Sequence, residues 1–113
     1  MNRIEIVIAV KPDKRDEVLE LLRSQLESTR IKPGCLECRL SQDLGCPEEL
    51  LYSEVWETAA LMCGRIRGEG FSRVLVAIDL GYKPPVVHLD EGKRRSGLET
   101  LAGIRSVGEG CHT

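Results

Sequence analysis

The residues able to do acid–base and ligand chemistry lie between positions 52 and 88. Tyr52, Glu54 and Trp56 are spaced two apart, so in an extended segment all three share one face with Leu50. Trp56 is the lone tryptophan. It offers either the aromatic wall of a ligand cavity or a large piece of ordinary packing. Glu54 beside it could take a proton from a bound phenol or orient it; equally, it could be held in an ion pair with Arg39 or Arg65. Arg65 is a permanent cation, able to hold a phenolate, an enolate or a carboxylate but unable to act as a base. Its alternative is a solvated helix face shared with Arg67 and Glu69. His88 titrates near neutrality and is the base that Arg65 is not, or else a hydrogen-bonded or exposed strand residue. The candidate catalytic residues are therefore Glu54, Arg65 and His88, and the candidate ligand-binding residues are Tyr52 and Trp56. His112 lies in a glycine-rich tail and is set aside.

Cysteine offers a second chemistry. Cys35-Leu36-Glu37-Cys38 is a CxxC, but a thioredoxin-type pair needs its first thiol at a helix N-terminus, and this one enters an alternating, strand-like run. Zinc would need two further ligands from Cys46, Cys63, His88 and Cys111, and the chain holds no second CxxC and no HxxxH. A structural role as small core residues is the simpler expectation, with no metal site. No P-loop, GxGxxG, HExxH or GxSxG motif occurs.

These side chains need elements to position them. Residues 3–10 alternate, with Ile4, Ile6, Ile8 and Val10 on one face and Arg3, Glu5, Val7 and Ala9 on the other, which predicts a strand covered on both sides. Pro12 permits a helix start, Asp13 and Asp16 favour its first turn, and Val18, Leu21, Leu22, Leu26 and Thr29 form its apolar stripe. Lys32-Pro33-Gly34 ends it. Residues 35–42 and 50–56 read as a hairpin across a turn holding Gly45 and Pro47. Thr58 caps a helix over 59–67 that stops at Gly68 and Gly70. A short helix over 71–80, a strand over 86–89 and a short terminal helix follow, the last with Ser96 and Glu99 at capping-box spacing. The order β-α-β-β-α-β is an α+β, ferredoxin-like split βαβ plan. Residues 1–91 make the domain, and 92–113 a C-terminal extension with a short helix and a frayed tail. A second copy of the sheet is the simplest cover for the outer face, so a homodimer closing an α+β barrel is expected. If Leu51, Ser53 and Val55 pack inward, Tyr52, Glu54 and Trp56 turn away from the helices into that barrel.

Composition narrows the partners. The 113 residues are 42% hydrophobic and 30% charged with a net charge of −2, which describes one globular domain. That balance gives no footprint for nucleic acid or an anionic membrane. One Trp, one Phe and two Tyr are too few for a stacking platform. The opening Met-Asn-Arg-Ile-Glu-Ile lacks a signal-peptide pattern and no apolar run is long enough to span a bilayer. With an odd number of cysteines, five, reduced thiols and a cytoplasmic location are expected.

Three segments together resemble the antibiotic biosynthesis monooxygenase (ABM) family of dimeric α+β barrels. They are the strand ending in Val10-Lys11-Pro12; Lys32-Pro33-Gly34-Cys35, similar to the family's Pro-Gly-Cys; and Glu54-Val55-Trp56 followed by Met62, Arg65 and Phe71, similar to the family's Glu-x-Trp, Leu-x-x-His and Phe. The resemblance covers roughly residues 3–90. It implies a small oxygenase that needs no flavin, haem or metal and acts on a small aromatic phenol or quinol. Trp56 and Tyr52 would pack the ring, Arg65 would hold the anion, and Glu54 or His88 would move the proton. Two departures matter. Arg65 stands where the family usually has His. Of the Asn, Trp and His of the haem-degrading branch, only Trp56 matches, with Ile6 near the Asn position. The alternative reading is a non-catalytic small-molecule binder or structural barrel that kept the fold and lost the base.

Overall fold

The computed structural model describes residues 1–92 and 94–107. The elements are β1 (Asn2–Ala9), α1 (Arg15–Arg30), β2 (Cys35–Gln42), β3 (Glu49–Trp56), α2 (Ala59–Arg67), α3 (Ser72–Asp79), β4 (Val86–Glu91), β5 (Arg94–Ser96) and α4 (Leu98–Val107), with a 3-10 turn over Glu69–Phe71 between α2 and α3. The strands form one antiparallel sheet in the order β2-β3-β1-β4-β5. This is the expected α+β, ferredoxin-like arrangement, lengthened by β5 and α4.

Register decides which side chains meet. Ile6 lies opposite Tyr52 and Val87, and Ile4 opposite Glu54 and Leu89. These residues form the inner face, where they are fully or almost fully buried with Val18 and Leu22 of α1, Met62 and Ile66 of α2, Val74 of α3, and Leu101 and Ile104 of α4. Each such Leu or Ile contributes about 1.5–3 kcal/mol by leaving water. Glu5 lies opposite Ser53 and His88, and Val7 opposite Leu51 and Val86, so these residues form the outer face. Strict alternation in β1 therefore places Ile4, Ile6 and Ile8 on one face and Glu5 and Val7 on the other, as the sequence predicts.

The start of α2 follows from its cap. Thr58 is extended (φ −133°) and its Oγ1 accepts from Leu61 N at 3.1 Å, while Gly68 N–H closes the last turn onto Gly64 and Arg65 carbonyls. Gly34 turns the chain from α1 into β2 at φ +84°, with Leu61 Cδ1 only 2.3 Å from where a Cβ would lie. A side chain at this position meets both strain and a clash.

Other expectations are corrected. Residues 12–14 form a turn, and α1 begins at Arg15. The hairpin strand β2 is also interrupted: a register shift between Cys35 and Glu37 leaves Leu36 66% exposed. Ser96 does not cap α4: it pairs with His88 in β5, and Gly97 (φ +101°) makes the turn into the helix. Cys35, Cys38 and Cys46 are free thiols, whereas buried Cys63 is disulfide-bonded, which departs from the fully reduced set expected. His112 and Cys111 lie outside the described residues. Among the described residues no helix is long and apolar enough to cross a membrane.

Candidate functional site

The inner face of β3 carries a buried polar cluster. Glu54 is wholly buried, and Arg65, reaching down from α2, is 7% exposed. Arg65 Nε donates to both Glu54 oxygens at 3.2 Å and Nη2 donates to Oε2 at 3.0 Å. Trp56 Nε1 donates to Glu54 Oε1 at 3.0 Å, and Tyr52 OH donates to Oε2 at 2.6 Å. Gln25 of α1 adds its Oε1, accepting from Arg65 Nη2 at 2.9 Å. The Arg65 guanidinium lies 5.2 Å from the Phe71 ring centroid, a cation–π distance. Three elements thus hold one charged pair, and each buried polar atom in it has a partner, as burial requires.

The electrostatics follow from that packing. Burial, then the Glu54 charge, pushes the Tyr52 phenol far above the usual tyrosine range. Burial pushes Cys38 up to about 11, and raises Cys35 as well. Burial opposes the Arg65 charge, but the hydrogen bonds and charge of Glu54 outweigh it and hold the guanidinium protonated. The cluster therefore surrounds the Glu54 carboxylate with a fixed cation, a neutral phenol and neutral thiols. Glu54 already accepts from Tyr52, Trp56 and Arg65, which leaves it little capacity to take a substrate proton.

Arg65 retains one donor nitrogen. Its Nη1 has no hydrogen bond among the described residues and lies 3.2 Å from where a Cβ on Gly70 would be. That glycine lines a groove of about 460 Å³ whose other walls include Trp56, Leu61, Gly64, Lys32 and Pro33. The absence of a side chain at Gly70 leaves Nη1 open to the groove. Trp56, 3% exposed, forms its inner edge.

Residues 1–63 match the antibiotic biosynthesis monooxygenase family. The chain belongs to that family. A solved antibiotic biosynthesis monooxygenase is 28% identical, with a TM-score of 0.70, over 82% of this chain and 99% of that one. A conserved protein from Methanosarcina mazei Go1 is 27% identical, with a TM-score of 0.70, over 82% of this chain and 95% of its own. A Deinococcus radiodurans structure at 20% identity and TM-score 0.73, covering 82% of this chain and 93% of that one, shares the fold. The uncharacterised protein sll1783 of Synechocystis sp. is 34% identical over 55 residues, a segment spanning 49% of this chain and 37% of that relative.

Within the ABM fold the structure brings four of the five sequence candidates together: Tyr52, Glu54, Trp56 and Arg65. The face expected for them is corrected. They point toward α1 and α2, because Ile4 and Ile6, their partners on β1, are the core side of the sheet, while Leu51, Ser53 and Val55 point outward. Tyr52 lies behind Trp56, wholly buried, and does not wall the groove. His88 is on the outer face with Glu5 and Ser53, its Nδ1 2.9 Å from Ser96 Oγ. It cannot exchange a proton with a ligand at Arg65, because the sheet stands between them.

Reading the sequence missed Gln25, Lys32 and Cys38 as parts of the site. Gln25 occupies a helical position three and four residues from Leu22 and Thr29, on the buried stripe, and is only 4% exposed. A polar residue on an apolar stripe was the available signal. Cys38 Sγ donates to Tyr52 OH at 3.4 Å, so the second cysteine of the CxxC supports the cluster. Among the described residues no group of three metal-ligating side chains comes together.

Proposed function

We propose that the groove beside Trp56 binds a small planar phenol or quinol as its anion, and that the protein oxygenates it in the manner its family name implies, without a bound cofactor. The unpaired Nη1 of Arg65, facing the groove, supports this reading more than any other feature. A guanidinium there stabilises a phenolate and, as charge moves onto oxygen, the anion that follows. The phenolate supplies the electrons to dioxygen. One oxygen atom becomes a new ring carbonyl and the other leaves as water, taking up two hydrogens from the ring and its hydroxyl, so a quinol yields a hydroxyquinone. Glu54 holds Arg65 and Trp56 in place and does not carry the proton. The substrate's first proton therefore goes to solvent at the open groove, and the apparent KM falls as pH rises toward the phenol's own pKa.

Two copies meeting through the outer sheet faces would complete the assembly. The saturation of Glu54 favours one other reading, a binder that retains the groove without turnover. Oxygen uptake by metal-stripped protein, with a panel of quinols and hydroxylated anthrones, separates them. Turnover that releases a quinone supports the oxygenase. Binding by calorimetry with no oxygen uptake across pH 6–9 overturns it in favour of the binder.

A further inference from the structure

The groove beside Trp56 does not end at Arg65. A second recess of about 720 Å³ adjoins it, and the two share Lys32, Arg65, Glu69 and Gly70. Its lining adds Arg73 of α3 and Arg105 of α4. Arg65 is neutralised by Glu54, but Lys32, Arg73 and Arg105 form no ion pair among the described residues. Against the single Glu69 they leave a local charge of 3 − 1 = +2, in a chain whose net charge is −2. Arg105 Nη1 is anchored on the Ile66 and Gly68 carbonyls, so α4 presents this cation from a fixed point.

We propose that this recess recognises a carboxylate borne by the aromatic ligand, with the ring against Trp56 and the carboxylate among Lys32, Arg73 and Arg105. The inference rests on the reading that the Trp56 groove binds a planar aromatic, and it names the class: an acidic phenol or quinol. Apolar walls at Trp56, Pro33 and Leu61 adjoin a cationic recess across the shared Lys32, Arg65, Glu69 and Gly70, which suits a molecule apolar at one end and anionic at the other. A guanidinium matches the planar carboxylate. A doubly charged group would meet more repulsion from Glu69. Exposed charge pairs contribute modestly, and three together give a preference of about tenfold.

The test compares hydroquinone with 2,5-dihydroxybenzoate by calorimetry and by quenching of Trp56 fluorescence. The carboxylated probe is expected to bind about tenfold tighter at low salt, with the advantage shrinking as ionic strength screens it. Arg73 is exposed and lines only the second recess, so Arg73→Glu, which takes the local charge from +2 to 0, should fold normally and abolish the preference while leaving hydroquinone binding unchanged. Equal affinities in the native protein, or a preference that survives Arg73→Glu, overturns this inference and leaves the oxygenase reading standing. Tight binding of the carboxylated probe without oxygen uptake does the reverse. Binding of neither probe overturns both.

Discussion

Glu54 and Arg65 set the behaviour of every residue around them. A buried ion pair is weak evidence for added stability, since desolvation offsets much of its attraction, but removing one partner strands a charge. Glu54→Ala is therefore expected to cost about 3–5 kcal/mol in urea unfolding. Tyr52→Phe deletes the 2.6 Å hydrogen bond to Glu54 and the weak one accepted from Cys38 Sγ, and is expected to cost about 1.5–3 kcal/mol. The same residue carries a pH signature. Its pKa is raised on folding, so its contribution is fully present below the unfolded value of about 10 and is lost as pH rises above that. Native stability should decline above pH 10 more steeply than that of Tyr52→Phe; identical declines would remove the phenol from the account. The sequence made the Glu54–Arg65 pair one of two open alternatives. It could not give the face, because alternation states which residues share a side and not which side meets the helices. Tyr52, Glu54 and Trp56 look no more core-like than Leu51, Ser53 and Val55. What decides the matter is Ile4 and Ile6 across the strand, a register that no local pattern reveals.

At the scale of elements, α4 and α2 act as one unit. Arg67 Nε donates to the Ile104 carbonyl at 3.0 Å, Arg105 returns to the carbonyls at the end of α2, and Leu101 and Ile104 are wholly buried. Because α2 carries Arg65 and, with Ala60, Leu61 and Gly64, one side of the groove, loosening α4 should disturb ligand binding as well as stability. Ile104→Ala is expected to cost about 2–5 kcal/mol and to weaken binding of an aromatic probe. An unchanged affinity in the folded variant would show that α4 contributes only bulk packing. Helix α2 was fully legible, from Thr58 to Gly68, because caps are written in local chemistry. Strand β5 was not. Its three residues, Arg94, Arg95 and Ser96, carry no strand pattern and are extended only because β4 offers a free edge. Ser96 imitated a helix cap by spacing alone, and tertiary pairing overrode the imitation.

For the whole molecule, the outer sheet face is the open question of assembly. Val7 and Leu51 are half-buried there, Val55 is 7% exposed, and Val86 is 50% exposed, with Glu5 and His88 among them and Arg94 paired to Glu5 at 3.0 Å. A half-buried apolar row with a few charged residues in it fits an interface between copies. A twofold dimer would place the same row of residues against itself. Light scattering at micromolar concentration should give twice the chain mass, and Val7→Lys with Leu51→Glu should give a folded monomer. The groove makes this test sharper, since Trp56 and Arg65 lie on the opposite side of the sheet. Each protomer of the dimer would then carry a complete groove, and calorimetry should find one aromatic ligand per chain in dimer and engineered monomer alike. A native monomer at every concentration would remove the sheet-to-sheet dimer. A dimer whose disruption abolishes ligand binding would show instead that the partner completes the site, and the groove between Trp56 and Arg65 would no longer account for recognition alone.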